Sequence, residues 1–66
     1  MRILLNGTEK EIVPQMSLET LVEEFCRDSK RVIAELNGSI IRDHEWDKKI
    51  LKEGDSLELV NFVGGG

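Results

Sequence analysis

Residues 56–66 read SLELVNFVGGG, a strand pattern that runs directly into three glycines. Period-two alternation places Val60 and Phe62 on one face of this strand and the two leucines on the other. Glycine has no Cβ, so the final residues can adopt backbone conformations closed to other residues and can enter a narrow channel. The stretch therefore predicts a last strand that carries a flexible, reactive carboxylate. A frayed end is the ordinary alternative.

Upstream of this strand, the dipeptides Asn6-Gly7 and Asn37-Gly38 each separate two strand-like runs. Asn-Gly is typical of the tight type I′ turn of a β-hairpin. Pro14 ends the second run, because proline cannot donate a ladder hydrogen bond. The runs predict four further strands, at residues 2–6, about 9–13, 32–36 and 39–41.

Between the two hairpins, the pattern predicts one amphipathic helix from Ser17 to about Arg27. The Ser17 hydroxyl can accept a hydrogen bond from a free first-turn amide, as a helix N-cap does. The apolar positions follow the spacing of a single buried stripe, which consists of Leu18, Leu21, Val22 and Phe25. We expect this stripe to lie across the sheet.

The remaining apolar residues are expected to complete a small core. Trp46 has a large apolar area and is predicted to cover an open edge of the core, which Ile50 and Leu51 help to close. Gly54 supplies a turn before the last strand. The predicted fold is α+β, with a mixed sheet of four to five strands and one main helix on one face. Residues 1–63 form the domain, and residues 64–66 form a flexible tail.

Length, composition and charge argue against several classes of function. The chain has 66 residues, a net charge of −4 and a pI of about 4.9. Phosphate binding needs a concentrated basic surface, so nucleic acid is not an expected ligand, and partners with basic docking surfaces are favoured. No apolar run approaches the roughly 20 residues that span a bilayer, and the first residues do not form a signal peptide. We expect a cytoplasmic protein with an unprocessed N-terminus.

Isolated reactive side chains do not form a catalytic or metal site. Cys26 is the single cysteine and borders the helical stripe, so packing is its expected role. His44 lies among charged residues without ligands at a recognised spacing, which favours a solvated side chain. The basic cluster of Lys48, Lys49 and Lys52 is expected to be a solvated face, and is a weak candidate for docking.

The face that carries Val60 and Phe62 is a candidate docking surface. A sheet with one helix has no second layer to cover its other face, so these two side chains would be exposed beside the glycine tail. Exposed apolar patches commonly mark partner surfaces. A loop or a dimer partner that covers both residues is the alternative.

The order of the predicted elements resembles the β-grasp fold of ubiquitin-like proteins, and the motifs resemble the ThiS family of bacterial sulfur carriers of thiamin biosynthesis. The resemblance covers essentially the whole chain. The motifs that carry it are Ile3-Leu4-Leu5-Asn6-Gly7, Leu36-Asn37-Gly38, Ile40-Ile41-Arg42, Trp46, Glu53-Gly54-Asp55 and the final glycines. One departure is Gly64, a third glycine before the pair Gly65-Gly66 that is typical of the family.

This resemblance implies a carrier cycle centred on Gly66. An E1-like adenylating enzyme of the ThiF type would use ATP and magnesium to adenylate its carboxylate. Sulfur from a cysteine desulfurase or another persulfide donor would then replace AMP and give a thiocarboxylate. A thiazole synthase of the ThiG type would accept the tail, including Gly64 and Gly65, and take the sulfur. The chain itself would be a co-substrate that binds no cofactor or metal, rather than an enzyme.

Three alternatives remain open at this point. The Gly-Gly ending also resembles the sulfur carrier of molybdopterin synthesis. A ubiquitin-like protein modifier would use the same activated glycine to form an isopeptide bond with a lysine. An interaction module would have an inert tail, and its function would survive deletion of residues 65–66.

Overall fold

The computed structural model describes residues 1–26 and 28–61. Within these residues, five strands form one mixed sheet, and a single α-helix packs against one face of it. The elements are β1 (Arg2–Leu5), β2 (Thr8–Glu11), α1 (Leu18–Phe25), β3 (Val32–Leu36), β4 (Ser39–Ile41) and β5 (Ser56–Asn61), with short 3-10 helices at Ser29–Arg31 and Asp43–Glu45. The predicted α+β class and the single main helix are confirmed.

The strand order β2-β1-β5-β3-β4 places the last strand in the middle of the sheet. β1 and β2 form one antiparallel hairpin, and β3 and β4 form the other. β5 pairs antiparallel with β3 and parallel with β1, where Leu4 lies opposite Ser56 and Leu5 opposite Leu57. Asn61, the last described residue, therefore ends a strand that lies between two neighbouring strands.

Both Asn-Gly turns have the backbone conformation that their sequence predicts. The φ angles are 50° and 81° at Asn6 and Gly7, and 50° and 87° at Asn37 and Gly38. A type I′ turn requires positive φ at both central positions, which asparagine and glycine tolerate better than other residues. These turns therefore specify the two hairpins through their own residues.

The N-terminus of α1 is capped as predicted. The Ser17 hydroxyl accepts a hydrogen bond from the Thr20 backbone N–H at 3.1 Å. The N–H groups of the first two helical residues donate to the carbonyls of Lys49 and Trp46, at 2.8 and 3.1 Å. Since first-turn amides have no partner within a helix, the segment that contains Trp46 both caps the helix and closes the core.

The core lies between α1 and one face of the sheet. Trp46 is 4% exposed, and its indole Nε1 donates to the Ile41 carbonyl at 2.9 Å, so it covers the β4 edge as expected. The buried apolar residues are Ile3, Ile12, Leu18, Leu21, Val22, Val32, Ala34, Leu36, Trp46, Leu51 and Leu57.

Two predicted core residues are not buried. Phe25 is 47% exposed, because it ends the helix above the edge strand β2, where Lys10 faces it with its Nζ 4.5 Å from the ring centroid. The predicted stripe is therefore wrong at its last position. Ile50 is 42% exposed and lies in an isolated bridge with Ser17, whereas the neighbouring Leu51 is buried as predicted.

Some element boundaries also differ from the prediction. The helix ends at Phe25, and Arg27 lies outside the described residues. β2 ends at Glu11, and Val13 is exposed beyond it. β5 is described to Asn61, so the expected extension of the last strand through residues 62 and 63 lies outside the described residues.

Candidate functional site

The predicted site residues divide into one that the structure describes and four that it does not. Val60 is the next-to-last residue of β5 and is 53% exposed. Phe62 and the glycines Gly64, Gly65 and Gly66 lie outside the described residues. The geometry of the candidate site is therefore that of β5 and its neighbours, up to Asn61.

Val60 lies on the outer face of the sheet, which is the face opposite the one that packs against α1. Leu57 is fully buried and Leu59 packs against the core, so the alternation predicted for this strand is confirmed from Leu57 to Val60. The other face of β5 carries Val60, and no helix or strand of the described residues covers it.

Strand pairing places two further isoleucines beside Val60. Ile33 is its direct cross-strand partner, and Ile40 follows on the neighbouring strand β4, diagonal to Ile33. These side chains are 41% and 65% exposed, and both line one shallow concavity together with Arg42. Ile33, Ile40 and Val60 are called the outer patch. Sequence reasoning missed both isoleucines, because only the register between β3, β4 and β5 brings them next to Val60.

Two carboxylates border the outer patch. Glu35 on β3 lies directly opposite Glu58 on β5, and both side chains are exposed on the outer face. Glu35 also lies opposite Ile40 of the patch. Like charges that are directly opposite in a sheet repel each other. The outer patch is therefore apolar with an acidic border.

Asparagine side chains attach β5 to the sheet near both of its ends. At the start, Asn37 Oδ1 accepts from the Ser56 N–H at 2.9 Å, and its Nδ2 donates to Asp55 at 3.0 Å. Near the other end, Asn6 Oδ1 accepts from the Leu59 N–H at 2.8 Å, and its Nδ2 lies 3.4 Å from the Leu59 carbonyl. Each asparagine that forms a hairpin turn therefore also binds β5.

Cys26 has the properties of a packing residue. It is half-buried against the core, and its backbone N–H donates to the Val22 carbonyl at 2.8 Å, which closes the helix. Burial raises the pKa of the Cys26 thiol. Because the thiolate is the nucleophilic form, this environment disfavours reactivity.

The other isolated side chains do not assemble into a second site. His44 is exposed, with Nδ1 3.9 Å from an Asp43 carboxylate oxygen. Within residues 1–26 and 28–61, no three His, Cys, Asp or Glu side chains are grouped closely enough to hold a metal ion. The three lysines of the basic cluster, Lys48, Lys49 and Lys52, are exposed as expected. No helix in the described part of the chain is long and apolar enough to cross a membrane.

A solved structure with the same fold covers the whole chain. The crystal structure of the thiamine biosynthesis protein ThiS from Geobacter metallireducens superposes with a TM-score of 0.86 and 26% identity, over 100% of both chains. The solution structure of a thiamine biosynthesis protein from the same organism gives a TM-score of 0.81 and 26% identity, over 100% of this chain and 88% of that one. The sheet and helix are therefore the β-grasp arrangement of ThiS.

The sequence relatives are of two kinds. Some are small proteins that match over most of their length, and others are larger enzymes that match in one segment only. A thiazole synthase of Paramagnetospirillum magneticum is 35% identical over all 66 residues, but this chain spans only 20% of that enzyme's length. The protein ycf40 of Trieres chinensis is 31% identical over 94% of this chain and 85% of its own length. The model of the ThiS family matches residues 3–66. Together with the superposed fold, this match shows that the chain belongs to the ThiS family.

Proposed function

We propose that this protein is a sulfur carrier of thiamin biosynthesis, and that the carboxylate of Gly66 is the group that carries the sulfur. The observation that carries the proposal is the family match, which spans the β-grasp domain and continues through the last glycine. The position of β5 in the middle of the sheet supports this proposal. A strand that is paired on both sides is held firmly, and β5 is the strand that precedes the glycines in the sequence.

Activation makes the chemistry feasible. A carboxylate is a resonance-stabilised anion that resists nucleophiles, whereas an acyl-adenylate places a good leaving group on the same carbon. In the proposed cycle, the carboxylate attacks the α-phosphorus of ATP and pyrophosphate leaves. The sulfur of a persulfide then attacks the acyl carbon and AMP leaves. A thiol cleaves the remaining S–S bond, which releases the thiocarboxylate and forms a disulfide.

The enzymes must supply the catalytic groups, since glycines have no side chains to stabilise an oxyanion or to hold magnesium. The chain is therefore proposed as a co-substrate of an adenylating enzyme that uses ATP and Mg²⁺, of a persulfide donor such as a cysteine desulfurase, and of a thiazole synthase. The similarity to a segment of thiazole synthases supports the last partner. ATP consumption agrees with a cytoplasmic site.

The test is intact mass spectrometry after incubation with the adenylating enzyme, ATP, Mg²⁺ and a persulfide donor. We expect a mass increase in the C-terminal peptide that matches exchange of one oxygen for sulfur, and no increase without ATP. A lysine-linked adduct that resists thiol would instead favour a protein modifier. Sulfur transfer to a molybdopterin precursor, but not to a thiazole, would assign the carrier to molybdopterin synthesis instead.

We propose that the outer patch docks on the adenylating enzyme, together with Phe62, which the sequence alternation predicts on the same face and which lies outside the described residues. Val60 and Ile33 are adjacent on the face that no described element covers, and they are 53% and 41% exposed. Glu35 and Glu58 border them, so an enzyme surface with an arginine or lysine opposite this pair would be complementary. The net charge of −4 favours the same partner chemistry.

Val60→Asp tests the docking proposal, and Val13→Asp is its matched control. Both valines are exposed, at 53% and 61%, but Val13 lies beyond β2 and outside the outer patch. We expect Val60→Asp, and to a lesser extent Phe62→Ala, to weaken binding to the adenylating enzyme by about tenfold or more. Val13→Asp should bind like the unaltered protein. Equal affinities for Val60→Asp and Val13→Asp would remove the patch from the interface.

A further inference from the structure

The side chain of Asn6 binds both backbone polar groups of Leu59. Its Oδ1 accepts from the Leu59 N–H at 2.8 Å, and its Nδ2 lies 3.4 Å from the Leu59 carbonyl oxygen. Asn6 belongs to the turn after β1, and Leu59 lies seven residues before Gly66. The carboxamide therefore takes the place of a peptide group beside β5, because it uses its oxygen as an acceptor and one N–H as a donor.

The parallel ladder between β1 and β5 explains why such a replacement is needed. The Leu4 N–H donates to the Asp55 carbonyl and the Asn6 N–H to the Leu57 carbonyl, both at 2.8 Å. In a continuing parallel ladder, the backbone carbonyl of Asn6 would accept from Leu59. The backbone instead turns away at Asn6, with φ of 50°, and the side chain provides the next pair of contacts.

On its other side, β5 is paired with β3 as far as Asn61, which lies opposite Val32. The N–H and carbonyl of one strand residue point to the same side, so those of Leu59 face Asn6 and not Ala34. Asn6 is thus the last described attachment of β5 on the β1 side. Beyond it, and as far as Asn61 where the described part of the chain ends, β3 is the one strand that pairs with β5.

We propose that Asn6 is a positioning residue for the C-terminal glycines. By holding Leu59, it keeps the end of β5 in the plane of the sheet and sets the direction of the strand at Asn61, where the described part of the chain ends. This inference rests on the proposed function, because the direction of the strand matters only if Gly66 has to be presented to the adenylating enzyme. Pre-organisation of this kind reduces the ordering cost of binding.

The matched variants are Asn6→Gly and Asn37→Gly. Both substitutions keep positive φ accessible in equivalent turns, and each removes the carboxamide hydrogen bonds at one end of β5. Asn37 binds Ser56 at the start of the strand, so only Asn6→Gly affects the part next to the glycines. Asn6→Asp is the conservative variant, because it keeps an acceptor for the Leu59 N–H.

Two readouts test the proposal on the whole chain. The first is amide hydrogen exchange at Leu59, together with the residual dipolar couplings of Val60 and Asn61. The second is KM and kcat for adenylation, from ATP–pyrophosphate exchange. For Asn6→Gly we expect Leu59 exchange to rise about tenfold, KM to rise about tenfold and kcat to stay within about twofold. Asn6→Asp should recover part of the change in KM, and Asn37→Gly should leave KM within about twofold.

Equal KM values for Asn6→Gly and the unaltered chain would overturn the proposal, and so would equal increases for Asn6→Gly and Asn37→Gly. If the unaltered chain is not adenylated at all, the proposed function fails, and the first readout then decides alone. Unchanged exchange and couplings in Asn6→Gly would overturn the positioning role, whereas altered values that Asn37→Gly does not share would support it.

Discussion

Glu35 and Glu58 lie directly opposite each other on the antiparallel strands β3 and β5, with both carboxylates on the exposed outer face. Among the described residues, no basic side chain forms a salt bridge with either of them. Opposed like charges lower the stability of a sheet, and a small domain is only marginally stable. The pair therefore has the properties of a surface that a cationic partner group would complete.

Removing one of these charges should affect stability and binding in opposite directions. We expect Glu58→Gln to raise the free energy of unfolding by about 0.2–1 kcal/mol, because the cross-strand repulsion disappears. The same variant should bind the adenylating enzyme more weakly, with a smaller dependence on salt. Urea unfolding and calorimetric titration at two ionic strengths measure the two effects.

Glu24→Gln is the matched control for this experiment. Glu24 is an exposed carboxylate on α1, on the opposite side of the sheet from the outer patch, and its loss changes the net charge equally. If Glu24→Gln weakened binding as much as Glu58→Gln, net charge alone would explain the effect.

The indole of Trp46 should contribute a measurable hydrogen bond to the β4 edge. Trp46→Phe keeps an aromatic ring in the core but removes the Nε1–H that donates to the Ile41 carbonyl at 2.9 Å. We expect loss of the hydrogen bond to lower the free energy of unfolding by about 0.5–1.5 kcal/mol. Trp46→Ala should cost about 3–5 kcal/mol, because it also empties buried volume. Urea denaturation measures both, and a free energy of unfolding for Trp46→Phe equal to that of the unaltered protein would indicate that the bond contributes nothing beyond packing.

Stability should fall at acid pH in part through Glu11. Its carboxylate accepts from the N-terminal ammonium at 2.6 Å and from Arg2 Nε at 3.3 Å, and the ammonium, followed by Arg2, holds its pKa below the ordinary value of 4.5. A group with a lowered pKa in the folded state stabilises the fold above its unfolded pKa, and this contribution is lost as the pH falls through the folded pKa. The loss should therefore begin near pH 4.5 and continue below it.

Urea midpoints measured between about pH 6 and pH 3 would test this, because linkage converts the lowered pKa into a slope of stability against pH. Glu11→Gln should flatten the slope, and Glu9→Gln, which removes a charge from the same strand, should retain the contribution of Glu11. A slope in Glu11→Gln identical to that of the unaltered protein would show that the ammonium contact has no effect in solution. High salt should reduce the effect, since the carboxylate is exposed.

Cys26 should react slowly and should not be needed for sulfur loading. Burial raises the pKa of its thiol, so a smaller fraction is thiolate at neutral pH than in a free cysteine. We expect iodoacetamide to alkylate Cys26 more slowly than glutathione at pH 7, and Cys26→Ala to form the thiocarboxylate normally. Failure of Cys26→Ala to load, with the fold intact by circular dichroism, would assign the thiol a direct role.

The local sequence was sufficient to predict the features that depend only on neighbouring residues. The Asn-Gly dipeptides predicted two hairpins, and the φ angles at Asn6 and Asn37 agree, because a type I′ turn depends on its own residues. Ser17 capped the helix for the same local reason. The exposure of Val60 followed from alternation along a single strand.

Features that depend on pairing between distant segments were not predictable in this way. The helical spacing placed Phe25 in the core, but the residue of β2 that faces it is a lysine, and only the sheet register determines this. Ile33 and Ile40 joined Val60 for the same reason. The contact between Asn6 and Leu59 joins residues 53 positions apart through a parallel pairing that no turn motif encodes.

The sequence by itself determined the hairpin turns, the capped helix, the alternation of the last strand and the family resemblance, because these depend on neighbouring residues and their order. Tertiary structure decided which strand lies in the middle, which charges oppose each other and which side chains border β5. Those relationships arise when segments far apart in the chain share one sheet, and hydrogen-bond register then places each side chain on the covered or the open face.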